Sequence, residues 1–211
     1  TSTIANGTLQ GQTLSEAVQK YGAGLIGVGN NPDEGFPLLA KILDASDWLS
    51  VQVHPNDVQA KALEGDPRGK TEAWVVLVAD NGAQLVIGVK SGTSREVMAQ
   101  AIRDNQLEDY IVYANVKVGD VLYIPANTVH ALGPGLLIYE IQQSSNITYR
   151  LYDWGRMGLD GNPRDLHIKK GVQVSNLDSL PNITHPTDDL IVDGEYFQTL
   201  RHTLDNTKLA L

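Results

Sequence analysis

Short apolar runs separated by turn-forming residues dominate the pattern along the chain. The first stretch, residues 36–53, is broken into two runs by Asp44-Ala-Ser-Asp47, and further runs fall at residues 74–78, 85–89, 111–115, 121–124 and 136–142. Each has about the length of a β-strand, and Gly, Asn and Asp residues stand between them. Many short strands at close spacing are typical of a sandwich or small barrel rather than of an alternating α/β sheet. The pattern therefore predicts a mainly β domain.

Two segments have the signals of helices. Thr13-Leu-Ser-Glu16 is a capping box, which predicts a short helix from this point to about Tyr21. Residues 94–104 have helical spacing, with Val97, Ala101 and also Met98 as candidates for the core-facing side. We interpret both helices as additions to the β framework.

Turn chemistry suggests one hairpin and one boundary. Asp80-Asn-Gly82 stands between the apolar runs at 74–78 and 85–89 and predicts that these two strands form a hairpin. Asn, Pro, Thr and Asp cluster over residues 177–189, ahead of a new strand-like segment at 195–200. We expect a domain boundary near this cluster.

Composition narrows the function classes. The chain has 211 residues, of which 42% are hydrophobic, and a formal charge of −9. An acidic surface argues against a nucleic-acid or anionic-membrane partner. No apolar run approaches the roughly 18 residues of a membrane span, and the first ten residues lack the regions of a signal peptide. The absence of cysteine favours a cytoplasmic location and limits any metal site to His, carboxylate and amide ligands.

The first candidate ligands lie in the alternating run Leu49-Ser-Val-Gln-Val-His54. On a strand, Gln52 and His54 point to the same face, opposite Val51 and Val53. A buried amide and imidazole need polar partners, and a metal ion is one such partner. A hydrogen-bonded core pair is the alternative interpretation.

Two further candidates follow along the chain. Glu72 stands directly before the apolar run at 74–78, where a solvent-exposed strand end is the alternative. Gly119-Asp-Val-Leu-Tyr-Ile-Pro125-Ala-Asn127-Thr-Val-His130 has the spacing of the second motif of the cupin superfamily. Asn127 stands where Gly is usual, and Asn tolerates a positive φ better than most residues.

Together these positions supply an amide, two imidazoles and a carboxylate. Gln52, His54, Glu72 and His130 form a plausible ligand set for Zn²⁺ with positions left for water or substrate, and Mn²⁺, Fe²⁺ or Co²⁺ also fit chemically. The spacing of these four residues along the chain does not by itself show that they meet in space.

Four segments resemble the signature motifs of short bacterial type I mannose-6-phosphate isomerases of the cupin superfamily. They occur in order within residues 49–156: Leu49-Ser-Val-Gln-Val-His-Pro55, Gly69-Lys-Thr-Glu72, Tyr123-Ile-Pro-Ala-Asn-Thr-Val-His130, and Tyr139-Glu-Ile-Gln-Gln-Ser-Ser-Asn146 followed by Thr148-Tyr-Arg-Leu-Tyr-Asp-Trp-Gly-Arg156. The resemblance implies a cupin (jelly-roll type) β-barrel with helical insertions. It also implies interconversion of mannose 6-phosphate and fructose 6-phosphate through an enediol, with one Zn²⁺ per chain and no nucleic-acid or membrane partner.

The resemblance also implies roles for individual residues. Gln52, His54, Glu72 and His130 fall on the metal-ligand positions of the family. Arg150, Lys70 and Glu140 fall on its catalytic positions, and Ser50, Lys70 and Arg150 on substrate-binding positions. Glu140 could instead only accept hydrogen bonds from Arg150 or from backbone, and Asp153 and Arg156 are expected to pair and hold the loop at Trp154. The proton carrier and the choice between monomer and homodimer stay open.

The resemblance further leads us to expect a longer protein. We expect residues 1–178 to form the central metal-binding cupin domain, with a helical insertion near 94–104. Residues 179–211 would be a linker and the opening of a truncated second β domain. Two other functions remain open: a different metal-cupin enzyme, such as an Fe²⁺ dioxygenase, and a sugar-phosphate-binding module without turnover.

Overall fold

A computed structural model describes residues 2–158 and 161–203. The α-helices in this part of the chain are α1 (Leu14–Tyr21), α2 (Ala23–Ile26), α3 (Asp57–Glu64), α4 (Arg95–Arg103) and α5 (Ile168–Val174), with 3-10 turns at Pro32–Glu34 and Leu107–Tyr110. The strands are β1 (Leu38–Ala45), β2 (Val51–Val53), β3 (Glu72–Ala79), β4 (Gln84–Val89), β5 (Ile111–Asn115), β6 (Val121–Ile124), β7 (Ala131–Leu132), β8 (Leu136–Gln143), β9 (Tyr149–Tyr152), β10 (Ile183–Thr184), β11 (Leu190–Asp193) and β12 (Gln198–Leu200). The prediction of a mainly β protein is confirmed.

Two antiparallel layers form the centre of the fold. The first is a five-stranded sheet in the order β1-β8-β3-β6-β10, and the second contains the three-stranded sheet β5-β4-β7 and the pair β2-β9. An isolated bridge between Gln52 and His130 links β2 to the segment that leads into β7. Apolar side chains from both layers, among them Trp74, Leu85 and Ile138, share one core cluster, so the two layers pack face to face.

The predicted hairpin at residues 80–82 is wrong. The turn exists, with the Ala83 N–H donating to the Asp80 carbonyl at 3.1 Å and Gly82 at φ +82°. However, β3 pairs with β6 and β8, whereas β4 pairs with β5 and β7. The turn therefore takes the chain from one sheet to the facing sheet.

Further elements cover the outer faces of both layers. α4 and α5 pack on the second layer through Met98, Ile102, Val172 and Val174. The predicted helix at 94–104 is confirmed, and Met98 and Ala101 face inward as expected, but Val97 is wrong: it is 40% exposed. The helix turns by about 100° per residue, so the face that buries Met98, Ala101 and Ile102 leaves Val97 at its edge.

The hairpin β11–β12 covers the outer face of the five-stranded sheet. Ile191, Val192 and Phe197 pack there against residues of β3, β6 and β8 such as Val75 and Ile141. None of the helices in the described residues is long and apolar enough to cross a membrane.

Candidate metal centre

Three loops at one end of the two layers carry the candidate ligands. His54 directly follows β2, Glu72 begins β3, and His130 precedes β7. Asn127 joins the first and third loops, because its N–H donates to the His54 carbonyl at 2.7 Å. Its φ of +74° confirms the left-handed conformation predicted for this position. The loop geometry, rather than the strands alone, brings residues 54 and 130 together.

His54, Glu72 and His130 form one compact, buried cluster. Their ligand-type atoms all lie within 4.8 Å of one another. His130 Nε2 is 3.2 Å from Glu72 Oε1, and His54 Nε2 is 3.6 Å from Glu72 Oε2. All three residues are almost completely buried. The structure thus brings together three of the four predicted metal ligands.

Hydrogen bonds orient both imidazoles. His54 Nδ1 lies 2.8 Å from the Ile147 carbonyl, and His130 Nδ1 lies 2.9 Å from the Thr128 carbonyl. A carbonyl only accepts hydrogen bonds, so each Nδ1 must carry the hydrogen. In the neutral rings each Nε2 is then left with a lone pair directed at the cluster, which is the arrangement that metal-binding histidines adopt.

Electrostatics keep the cluster in its ligand form. Burial, followed by the charge of Lys70, holds the pKa of His54 well below its ordinary value. Burial raises the pKa of Glu72, but the adjacent Lys70 ammonium opposes this effect, and the pKa of Glu72 lies well below the usual range. His54 is therefore neutral and Glu72 ionised at pH 7, as metal binding requires.

The Glu72 carboxylate provides a test of whether these residues suit a metal ion. Both of its oxygens are buried, and among the described residues neither has a partner in hydrogen-bonding geometry, although Lys70 Nζ is 2.7 Å from Oε2. A buried carboxylate needs compensation by a cation. Lys70 supplies this at Oε2, whereas Oε1 is left available to a metal ion. With two imidazole lone pairs alongside, this donor set fits a borderline divalent ion such as Zn²⁺.

Gln52 lies beside the cluster. Its Nε2 is 3.3 Å from His130 Nε2. For Gln52 to act as a ligand, the amide oxygen rather than the nitrogen must face this point, which a 180° rotation of the amide group achieves. The side chain is therefore within reach of the cluster that His54, Glu72 and His130 form.

The predicted substrate residues lie at different distances from this cluster. Lys70 is inside it, with Nζ 3.2 Å from His54 Nε2. Ser50 is buried two residues before Gln52. In the strand register, Arg150 lies directly opposite Gln52, and Gln52 lies directly opposite His130. Residues opposite each other on adjacent strands point to the same face, so the three side chains share one face. Arg150 Nη1 donates to the Asp165 carbonyl at 3.0 Å, whereas Nε is buried with no partner in the described part of the chain.

Glu140 is buried, and its partners differ from those expected. Its oxygens accept from Lys41 Nζ at 2.6 Å and from Trp74 Nε1 at 3.1 Å, rather than from Arg150. Trp74 packs edge-on against His130, with ring centroids 5.4 Å apart. Lys41, which also contacts Gln142, was missed by sequence reasoning. Its position on the same strand face as Leu39 and Leu43 was the available signal.

Asp153 organises the loop beyond β9. It accepts a hydrogen bond from Arg156 Nη2 at 2.6 Å, as expected, and also binds Arg164. Trp154, at φ +57°, donates from Nε1 to the Leu49 carbonyl at 2.8 Å. These contacts tie the loop to the strand that carries Gln52 and His54.

Fold and cluster together define a double-layered β protein of the cupin type with a His–Glu–His centre suited to a metal ion. Residues 1–73 match the family model described as phosphomannose isomerase type I, catalytic domain. The mannose-6-phosphate isomerase of Streptococcus mutans is 41% identical over 183 residues, which are 87% of this chain and 56% of that protein. The chain is thus a relative of the type I phosphomannose isomerases, as its motifs predict.

Solved structures agree with this relationship. The mannose 6-phosphate isomerase of Bacillus subtilis superposes with a TM-score of 0.81 at 32% identity, covering 93% of this chain and 64% of that one. A zinc-bound mannose 6-phosphate isomerase at 16% identity has a TM-score of 0.57 over 80% of this chain and 62% of that one, and shows the same fold. The chain spans a little over half the length of the curated S. mutans relative.

Proposed function

We propose that this chain carries the active site of a zinc-dependent aldose–ketose isomerase that interconverts mannose 6-phosphate and fructose 6-phosphate. The observation that carries the proposal is the buried cluster of His54, Glu72 and His130: within the described residues the Glu72 carboxylate has no partner in hydrogen-bonding geometry, and both imidazoles direct Nε2 towards it. Relatives named mannose-6-phosphate isomerase support the choice of substrate. A structural neighbour described as zinc-bound supports the choice of metal.

One zinc ion per chain would be held by Gln52, His54, Glu72 and His130. A bound zinc ion polarises carbonyl and hydroxyl oxygens and stabilises the negative charge that develops on them. In the proposed reaction a proton leaves C2 of the open-chain aldose, the resulting enediol is protonated at C1, and the carbonyl ends at C2. No other redox partner is needed, because the oxidation of C2 balances the reduction of C1.

The cationic side chains would bind and orient the substrate. We propose that Lys70 and Arg150, whose buried Nε has no partner among the described residues, hold the anionic groups of the sugar phosphate, and that Ser50 contributes a hydroxyl contact. Guanidinium and ammonium groups are well suited to phosphate, and here they compensate locally for the acidic chain. Arg150 shares a face with Gln52 and His130, so a substrate bound there reaches towards the metal ligands.

We place the proton transfer with Lys70 and Glu140. Lys70 lies within the cluster, 2.7 Å from Glu72. Glu140 acts together with Lys41, whose ammonium it contacts at 2.6 Å. In this proposal the Glu140 carboxylate takes up the proton that leaves C2 and returns it to C1. The cytoplasmic location and the division near residue 178 stay predictions.

The test combines turnover with metal dependence. Purified protein is assayed for fructose 6-phosphate formed from mannose 6-phosphate, before and after chelation and after return of zinc. We expect activity to vanish with the chelator and to return with zinc, and Glu72→Gln to abolish both activity and stoichiometric zinc binding. Glu96→Gln, in the first turn of α4, is the matched control and should behave like the wild type. A folded, zinc-loaded wild type that binds mannose 6-phosphate without converting it would refute the isomerase and favour a binding module.

A further inference from the structure

The loop that carries Lys70 and leads into Glu72 is held by two different parts of the protein. The Gly69 N–H donates to Asp57 Oδ1 at 2.7 Å, and the Lys70 N–H donates to the Pro55 carbonyl at 3.0 Å. The Thr71 N–H donates to Gln143 Oε1 at 2.8 Å. Three consecutive backbone donors are therefore all bonded, two to the segment at 55–57 and one to the last residue of β8, which leaves the loop little freedom to shift.

Gly69 packs directly on the segment after His54. A Cβ at this position would lie 2.4 Å from the Pro55 carbonyl oxygen and 2.4 Å from the Asn56 carbonyl carbon, closer than side chains allow. The loop and the segment at 54–57 are thus in backbone contact. A displacement of either one would change the distance between Glu72 and His54, which is 3.6 Å between Oε2 and Nε2.

Asp57 is the residue that connects these contacts. Besides Gly69, its Oδ1 accepts a hydrogen bond from Gln143 Nε2 at 3.0 Å, while the Gln143 N–H donates to the Thr71 carbonyl at 3.0 Å. Gln143 is almost completely buried, so the Asp57 contact determines which way its amide points. The Gln143 oxygen is thereby directed at the Thr71 N–H.

The second oxygen of Asp57 reaches the C-terminal part of the chain. Tyr196, between β11 and β12, donates from its hydroxyl to Asp57 Oδ2 at 3.1 Å. Burial and the Asp57 carboxylate raise the pKa of Tyr196 to about 12, so its hydroxyl keeps the proton that it donates. The hairpin that covers the five-stranded sheet therefore also contacts the support of the metal cluster.

We infer that Asp57 is a positioning residue for this centre: with Gln143 it sets where Lys70 and Glu72 lie relative to His54 and His130, and Tyr196 couples the C-terminal hairpin to that arrangement. The inference rests on the proposed function for its catalytic consequence. The support that Asp57 gives to the loop at residues 69–71 does not depend on that function. Residues outside the ligand set that orient a metal site commonly change metal affinity or activity by about 10-fold to 100-fold when removed.

The experiment compares Asp57→Ala, Asp57→Asn, Gln143→Glu and Tyr196→Phe with the wild-type chain. Zinc affinity is measured by chelator competition, and kcat and KM by isomerase assay. We expect the zinc Kd to rise about 10-fold to 100-fold and kcat to fall by a similar factor in Asp57→Ala. In Gln143→Glu an oxygen faces the Asp57 carboxylate, and we expect a comparable loss. Asp57→Asn keeps one acceptor oxygen and should recover part of the affinity.

Matched controls separate positioning from general destabilisation. Glu96→Ala removes a first-turn carboxylate from α4 as Asp57→Ala does from α3, and Tyr139→Phe removes a hydroxyl from the same apolar cluster as Tyr196→Phe. Both controls should keep wild-type zinc affinity and kcat. Tyr196→Phe itself should raise the zinc Kd by about fivefold, since one hydrogen bond to a charged group is lost.

Amide hydrogen exchange at residues 69–71 tests the inference without zinc or turnover. We expect these amides to exchange at least about tenfold faster in Asp57→Ala than in the wild type or Glu96→Ala. If exchange, zinc affinity and kcat are unchanged in folded Asp57→Ala and Gln143→Glu, the inference is refuted. If exchange accelerates but the wild type neither binds zinc nor isomerises the substrate, the loop support stands and the proposed function fails instead.

Discussion

The buried His54 side chain is both oriented by a hydrogen bond and kept in its neutral form. Its Nδ1 is hydrogen-bonded to the Ile147 carbonyl, and its Nε2 lies 3.2 Å from Lys70 Nζ. Burial and the neighbouring ammonium oppose protonation of the ring. The imidazole is therefore kept as a neutral ligand, and this has a consequence for the stability of the metal-free protein.

We predict that the metal-free chain loses stability as pH falls below the ordinary imidazole pKa of 6.5. The pKa of His54 is lower in the folded than in the unfolded chain, so below pH 6.5 the unfolded chain binds the extra proton. The free energy of unfolding should then fall by up to about 1.4 kcal/mol per pH unit from this group. Urea unfolding of zinc-free protein at several pH values between 7.5 and 5.5 measures the slope.

His54→Asn should make that slope shallower, whereas His202→Asn, at an exposed histidine, should leave it unchanged. Equal slopes in the wild type and His54→Asn would contradict the assignment of a neutral, buried His54. The comparison uses slopes rather than absolute stabilities, so a general destabilisation by either substitution does not affect it.

Helix α4 shows what tertiary packing adds to a periodic pattern. Its length and its Ser94 cap follow from local signals, and Ser94 Oγ accepts from the Val97 N–H at 3.2 Å as a cap should. Which of the neighbouring apolar residues faces the second β layer depends on how the helix rotates against that layer. Met98 is fully buried, whereas Val97 is 40% exposed.

We predict that Met98→Ala lowers the free energy of unfolding by about 2–5 kcal/mol, because it leaves a cavity between α4 and the second layer. Val97→Ala should change it by no more than about 0.5–1 kcal/mol. Denaturant unfolding of both variants measures the difference. Equal losses would mean that the helix packs with a different face from the one described.

The layers of the protein are linked by contacts that lie far apart in sequence. The two β layers share a core, helices α4 and α5 cover one outer face, and the hairpin β11–β12 covers the other. Phe197, where the hairpin packs on the five-stranded sheet, is 7% exposed, whereas Leu200 in the same hairpin is 57% exposed. This difference allows the contribution of the hairpin to be measured.

We predict that Phe197→Ala costs about 3 kcal/mol of stability, close to the lower end for a buried phenylalanine, while Leu200→Ala costs under about 0.5 kcal/mol. Unfolding should remain a single transition, detected alike by tryptophan fluorescence and circular dichroism. A Phe197→Ala variant as stable as the wild type, or a separate early transition in the wild type, would show that the hairpin is not integrated with the sheet.

Much of the fold was predictable because local signals coincided with the final packing. The strands at 111–115 and 121–124 were predicted to the residue, since apolar runs between turn residues have few alternatives. The turn at 80–82 was predicted correctly, but it connects strands of two facing sheets rather than the two strands of a hairpin. Strand partners are chosen by long-range pairing and burial, which a local turn motif does not specify.

The candidate ligands His54, Glu72 and His130 were also predictable from the sequence, because polar residues in apolar strands must find partners and their motifs resemble those of a known family. Sequence alone identified the segments of β1–β6, β8 and β12, since their apolar runs depend on neighbours along the chain, but it did not predict β7, β9, β10 or β11. The tertiary structure decided that Glu140 contacts Lys41, that Asp57 supports the loop at 69–71, and that Tyr196 reaches that support. Those contacts join residues separated by 99, 12 and 139 positions, so they exist only once the layers have packed.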